Sequence, residues 1–223
     1  MVTVEGRGTE AEGIRTGAGA LLASAMDAVQ AINERCLRVL QRLARERMSE
    51  PPRLVGALTS ELRELDPLVV PTISRQPFLF VDFAFGNPRA LLNALTREPL
   101  PLRFPSPRGV FPTADATALA RGALILAQTV CRHHPAHAGL FLGMHPQLLR
   151  HVALLRQPDV DRLAEESPHL LTVRWESRPD IWRALLSTGV SCDPGALAQF
   201  RMYGIQLIAG DLAQRTGRGS ERH

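Results

Sequence analysis

A run of apolar residues at alternating steps of four and three constrains this chain more than any other feature: Ala25, Val29, Ile32, Cys36, Val39 and Leu43. That spacing keeps side chains on one side of an α-helix, as in the seam of a coiled coil or a bundle. Leu22, Met26 and Leu40 widen the stripe, which favours a helix packed within a bundle over a two-stranded coiled coil. The pattern sets in near Ala20 and reaches Met48, after which Ser49-Glu50-Pro51-Pro52 stops it, because consecutive prolines cannot continue a helix. Arg35, Arg38, Arg42, Arg45 and Arg47 flank the stripe and read as its solvated face. Residues 1–18, rich in Gly, Thr and Glu, read as a flexible tail.

Beyond the prolines a second helix is predicted over 54–65, with Leu54, Leu58, Leu62 and Leu65 on one face, and Pro67 and Pro71 break the chain again. FLFVDFAF at Phe78–Phe85 is the most apolar and aromatic stretch, and fits either a buried strand or an apolar helical turn. Asp82 inside it must be hydrogen-bonded, paired, or turned out at an edge, and reads as structural because no second acid, His or Lys stands at useful spacing. Asn87-Pro88 reads as the cap and first position of a short helix over 88–96. Pro99, Pro101, Pro105, Pro107 and Pro112 then mark a linker over 98–112, separating a helical N-terminal part (19–97) from a C-terminal part (113–213) that ends in a short tail (214–223).

In the C-terminal part, Thr113 is placed to cap a helix over 114–132 whose stripe is Ala116, Leu119, Ala123, Leu126 and Val130. Pro135 opens a short helix that Gly143 ends as a left-handed stop. Two more short helices are predicted over 146–155 and 158–167, the second ended by Pro168. Residues 170–176 alternate like a strand, with Leu171, Val173 and Trp175 on one side. A helix carrying Ile181, Trp182, Leu185 and Leu186 follows, and Asp193-Pro194 starts the last one, on which Leu197, Phe200, Gly204, Leu207 and Ile208 share a face. The expected fold is mainly α: a bundle-like N-terminal part, then a unit of short helices with a helix-turn-helix-like end.

Three blocks of the C-terminal part stand in a particular order: LILAQ at Leu124–Gln128 with FLGM at Phe141–Met144; DVDRLAEES at Asp159–Ser167 with TVRWE at Thr172–Glu176; and RMYGIQLIAGDL at Arg201–Leu212. In order, apolar register and spacing they resemble FlhD, the flagellar master regulator family that partners FlhC in a transcription-activating complex. The resemblance runs without a gap from Leu124 to Glu176, needs an insertion before Arg201, covers under half the chain and rests on apolar positions. It implies a homodimer that joins an FlhC-like partner and reaches DNA through the complex. By resemblance, Leu124, Leu126, Ala127, Leu140 and Phe141 belong to the dimer or partner face, and Tyr203, Ile205 and Leu207 to the closing segment tied to activity. Unlike the family's short unit, residues 1–112 precede it here.

Charge tempers the DNA expectation. The chain carries 26 basic residues, every one an arginine, against 22 acids, and each half holds an excess of two arginines. The absence of lysine fits a GC-rich genome, and arginine's rigid fork suits phosphate contacts all the same. A protein that binds DNA alone concentrates such charge in a stripe; here it is diffuse, so a partner must supply further positive surface. Arg174, Arg178 and Arg183 cluster at the strand-to-helix junction and are the phosphate-contact candidates.

Chemistry has few footholds. Cys36, Cys131 and Cys192 are odd in number and widely spaced, which argues against a disulfide framework or a cysteine zinc site. His133 and His137 stand four apart, but Pro135 between them breaks the helix that would aim both at one metal. No GxSxG, Walker A, dinucleotide fingerprint or HExxH occurs. No apolar run approaches the length of a membrane span, and the N-terminus lacks the basic and apolar regions of a secretory signal. The expectation is a cytoplasmic, non-enzymatic protein without cofactor or metal: an FlhD-like transcriptional regulator, or a protein–protein adaptor (an anti-activator or a secretion-associated assembly factor) that does not touch DNA.

Overall fold

The apolar stripe does form one helix, and that helix is longer than its pattern: α1 spans Gly8–Arg45 in the computed structural model, which describes residues 8–46, 48–96 and 109–220. The start at Gly8 corrects the expected tail for residues 8–18, residues 1–7 lying outside the described residues; extending a helix already nucleated downstream costs little per residue. Ala25, Val29, Cys36, Val39, Leu40 and Leu43 are buried, with Ile32 packed at the margin of the core. Two polar side chains share that buried face. The fully buried Asn33 donates from Nδ2 to the carbonyls of Ser74 (3.2 Å) and Phe78 (2.9 Å), and its Oδ1 accepts from the Phe80 N–H (2.8 Å). Gln41 donates to the carbonyl of Leu65 at 2.9 Å. Both serve backbone groups in connecting segments and at helix ends, where no regular ladder supplies a partner.

The single helix expected over 54–65 is instead two, α2 (Arg53–Ala57) and α3 (Thr59–Glu64), broken at Leu58 with φ −123° and ψ 21°. The Thr59 hydroxyl donates to the Val55 carbonyl at 2.8 Å, a local side-chain bond of the kind that bends helices. Leu54, Leu58, Leu62 and Leu65 are all buried across the break. Pro71 was expected to interrupt the chain, but it lies in the first turn of α4 (Val70–Ser74), where a missing N–H has no helical partner to lose. The aromatic run resolves as a strand: β1 (Val81–Phe83) pairs antiparallel with β2 (Leu171–Val173), Asp82 opposite Thr172. Trp175 does not continue β2 as its alternation predicted, because its φ of 56° turns the chain out of the strand. α5 (Pro88–Thr96) matches its expected range, with Asn87 Oδ1 accepting from Ala90 N–H at 3.2 Å.

Residues 97–108, most of the proline-rich linker, lie outside the described residues; Val110 and Phe111 just after them are buried. α6 (Thr113–His133) is the central helix. It packs against α1 and against α7 (Pro135–Leu142), α8 (Leu149–Ala153) and α9 (Gln157–Glu166). Thr113 is its first helical residue rather than its cap; Pro112 holds the cap position with no side-chain bond. Gly143 (φ 60°) ends α7 in the left-handed conformation, as expected. α9 ends just before Pro168, as expected, and Pro168, itself buried, opens a 3-10 turn over Pro168–Leu170 leading into β2. α10 (Pro179–Ser191) and α11 (Pro194–Ser220) are joined by Cys192-Asp193, and Asp193 Oδ1 caps α11 by accepting from Gly195 N–H at 2.9 Å. Because α11 runs to Ser220, the tail expected from residue 214 is helical for most of its length.

The fold is mainly α, with eleven α-helices and one two-stranded sheet among the described residues. One apolar core extends from Ala25 to Ile208, so the parts on either side of the linker share it. Arg42 of α1 is not a free solvated charge: it bonds Asp115 of α6. Arg121 of α6 reaches Asp161 (2.7 Å) and Glu165 (2.8 Å) of α9. Among the described residues no helix is long and apolar enough to cross a membrane.

Asn33→Leu preserves size but strands the Phe80 N–H and two carbonyls in the core, at about 1–3 kcal/mol for each buried group left unpaired. The expected loss is about 3 kcal/mol or more, read from urea unfolding, while Arg38→Ala on the exposed side of α1 shifts the midpoint little.

Candidate functional site

The strand-to-helix junction is built by the end of the β ladder. Past Val173, the Arg174 N–H still donates to the Phe80 carbonyl (2.7 Å), and the Arg174 carbonyl accepts from the Trp182 indole N–H (2.9 Å). The Arg174 side chain therefore points inward and is buried. Its Nε donates to the Leu79 carbonyl and one terminal nitrogen to the Leu142 carbonyl, both at 3.0 Å. Leu142 is the last residue of α7, where carbonyls lack helical partners and a cation is favourable. Burial lowers the pKa of the guanidinium and the nearby Asp82 raises it again; arginine's basicity keeps it charged. Asp82 itself is buried, accepts from Phe85 N–H at 2.9 Å and lies 3.5 Å from Arg215 of α11, in keeping with the structural role read for it.

The three phosphate-contact candidates thus have different fates. Arg174 is corrected to an interior tie, since both of its carbonyl bonds are buried. Arg183 holds α10 to α2 and α3 through Glu61 (2.9 Å) and the Ala57 carbonyl (2.7 Å). A backbone hydrogen bond and the pairing with Arg183 keep the Glu61 carboxyl below its ordinary range. Arg178 and Arg183 are both about half-exposed, and Arg178 has only a long contact, 3.8 Å to Asp180.

Arg178 lies on a cleft of about 540 Å³ whose walls also include Arg53, Trp175, Glu176, Asp211 and Arg215. The Trp175 ring packs edge-on against Phe78 at 5.6 Å, and its buried indole N–H has no acceptor among the described residues. Burial raises the Glu176 carboxyl above its usual range, an effect that Arg53 partly offsets. Arg53, Asp211 and Arg215 were not found from sequence. No local pattern joins positions so far apart, and Arg215 fell in the expected tail.

The residues assigned by resemblance to a dimer or partner face do not share a surface. Leu124, Leu126 and Ala127 are buried in the chain's own core, because α6 is covered on several sides. Phe141 is partly buried against that core, whereas Leu140 is 40% exposed. Leu140 lines an apolar groove of about 360 Å³ between α7 and α11, with Gly139, Ala209, Leu212 and Ala213. In the closing helix Tyr203 is exposed, and Ile205 and Leu207 are partly buried against the core.

At the histidine cluster α6 ends on His133 and α7 begins at Pro135, with the His134 and His137 rings edge to face at 5.9 Å. No group of three or more potential ligands gathers there or elsewhere among the described residues. Of the thiols, Cys192 is exposed; burial pushes Cys36 far up and Cys131 up to about 11. No family model, curated protein or solved structure matches the chain.

Two outcomes follow from this placement. Arg174→Ala strands two buried carbonyls and is expected to cost about 2–4 kcal/mol in urea unfolding, against under about 0.5 kcal/mol for Arg178→Ala. A thiol reagent at pH 8 is expected to label Cys192 rapidly in the native protein, with Cys36 and Cys131 reacting after unfolding.

Proposed function

We propose that the chain is a non-enzymatic regulator of the FlhD type. In this reading it pairs with a second copy of itself, joins an FlhC-like partner activator, and contributes to promoter binding through that complex. The observation that supports it best is the apolar groove between α7 and α11, which leaves Leu140 open to another protein. Leu140 is the residue of the resemblance-assigned face that lies exposed, and small residues beside it allow close approach of a second helix. The contribution is recruitment and orientation of a partner, with no bond made or broken. DNA contact belongs to the complex, since the chain's positive charge is spread evenly and much of it is committed to internal pairs.

A second reading is favoured by one observation. Arg174 is buried in the core and the exposed Arg183 is paired with Glu61, which leaves Arg178, with a 3.8 Å contact to Asp180, as the most loosely held of the candidate trio. An adaptor that binds proteins but not DNA, such as an anti-activator or a secretion-associated assembly factor, has that arrangement.

Light scattering at micromolar concentration tests the pairing: the regulator reading expects a dimer, and a monomer for Leu140→Asp with an unchanged unfolding midpoint. A monomeric wild-type chain would remove the dimer from the proposal. DNA titrations across salt, with and without an FlhC-like partner, separate the two readings. A salt slope near zero in every combination selects the adaptor.

A further inference from the structure

The cleft beside β2 carries a second inference, independent of the groove and of the regulator reading. Three guanidinium groups, Arg53, Arg178 and Arg215, and two carboxylates, Glu176 and Asp211, share its walls. Asp82 sits behind Arg215, but its charge is also answered by the buried Arg174. Neither Arg215–Asp82 at 3.5 Å nor Arg178–Asp180 at 3.8 Å is a close bidentate pair, and Arg53 makes no ion pair among the described residues. Three planar guanidinium groups thus line one cavity, a set of donors that suits tetrahedral oxyanions.

Trp175 stands on the same wall. It is buried, holds an indole N–H without an acceptor among the described residues, and has φ 56°, unusual for a bulky side chain. Residues held in sparsely populated backbone regions cluster at ligand clamps, and this one lies on the cavity wall beside the arginines. The Glu176 carboxylate opposes anion binding in the lining, and Arg53 is the cation whose charge acts on it.

We propose that this cleft binds a phosphorylated small molecule, its phosphate held by Arg53, Arg178 and Arg215. The volume, about 540 Å³, suits a ligand of roughly nucleotide size. Arginines gathered on a cavity favour a free phosphate over a duplex backbone, whose phosphates meet protein surfaces rather than cavity walls.

Isothermal titration of the full chain with pyrophosphate tests this at fixed pH and ionic strength. The expected result is saturable binding of one pyrophosphate per chain. Arg178→Gln and Arg53→Gln each weaken it about tenfold, Glu176→Gln strengthens it severalfold, and Arg38→Gln on the exposed side of α1 changes nothing. Circular dichroism on each variant confirms the fold, and both cleft arginines are exposed enough to be replaced without opening the core. Failure to saturate at millimolar pyrophosphate would overturn the proposal, as would equal effects of Arg178→Gln and Arg38→Gln. Displacement of bound pyrophosphate by short duplex DNA at matched salt would overturn it as well, by assigning the cleft to nucleic acid.

Discussion

The three hydrogen bonds of Asn33 tie the helical frame to everything that follows it. A fully buried amide is unfavourable unless its donors and acceptor are matched, and its matches here are backbone groups at Ser74, Phe78 and Phe80. One register of residues 74–80 against α1 satisfies all three. That register puts the Phe78 ring where α11 crosses at Gly204: a Cβ there would lie 2.3 Å from the ring, so only a residue without one permits the approach. It also stacks Phe80 edge-on against Trp182 of α10 at 5.3 Å. A polar residue within an apolar stripe thus sets the docking of elements more than a hundred residues downstream.

Arg174 performs the complementary task from the other strand. Its main chain extends the pairing by one bond to Phe80, and its side chain closes the open end of α7. Gly143 makes room, since a Cβ at that position would stand 2.7 Å from a guanidinium nitrogen. With Arg174 turned inward, the next residue must reverse direction, and Trp175 does so at positive φ. The unfavourable conformation is held by the ring's packing on Phe78. The cleft opens because the ladder stops there.

Elements announced by local chemistry were legible in the sequence. Prolines at first turns and a glycine stop located α5, α7 and the start of α11, since each acts within a few residues of itself. The apolar faces of α1, α6 and α10 were equally plain, and these helices form the core. What pattern reading lost was polar and distant. Asn33 and Gln41 vanish from a stripe defined by hydrophobicity, although they decide its register. Arg174 reads as a surface cation from composition, because its burial depends on carbonyls at Leu79 and Leu142 brought together only by the fold. Leu124, Leu126 and Ala127 show the same limit: apolar spacing marks a buried face without saying whether the covering surface comes from the same chain.

The last turns of α11 join the two cavities. Leu212 and Ala213 line the apolar groove against α7, while Asp211, Gln214 and Arg215 line the charged cleft against β2. The same stretch carries Arg215, whose contact with Asp82 lies close to the buried charge of Arg174. A helix with an apolar side toward one hollow and a charged side toward another cannot shift without altering both. Contacts that hold the cleft wall in place therefore also hold the shape of the groove.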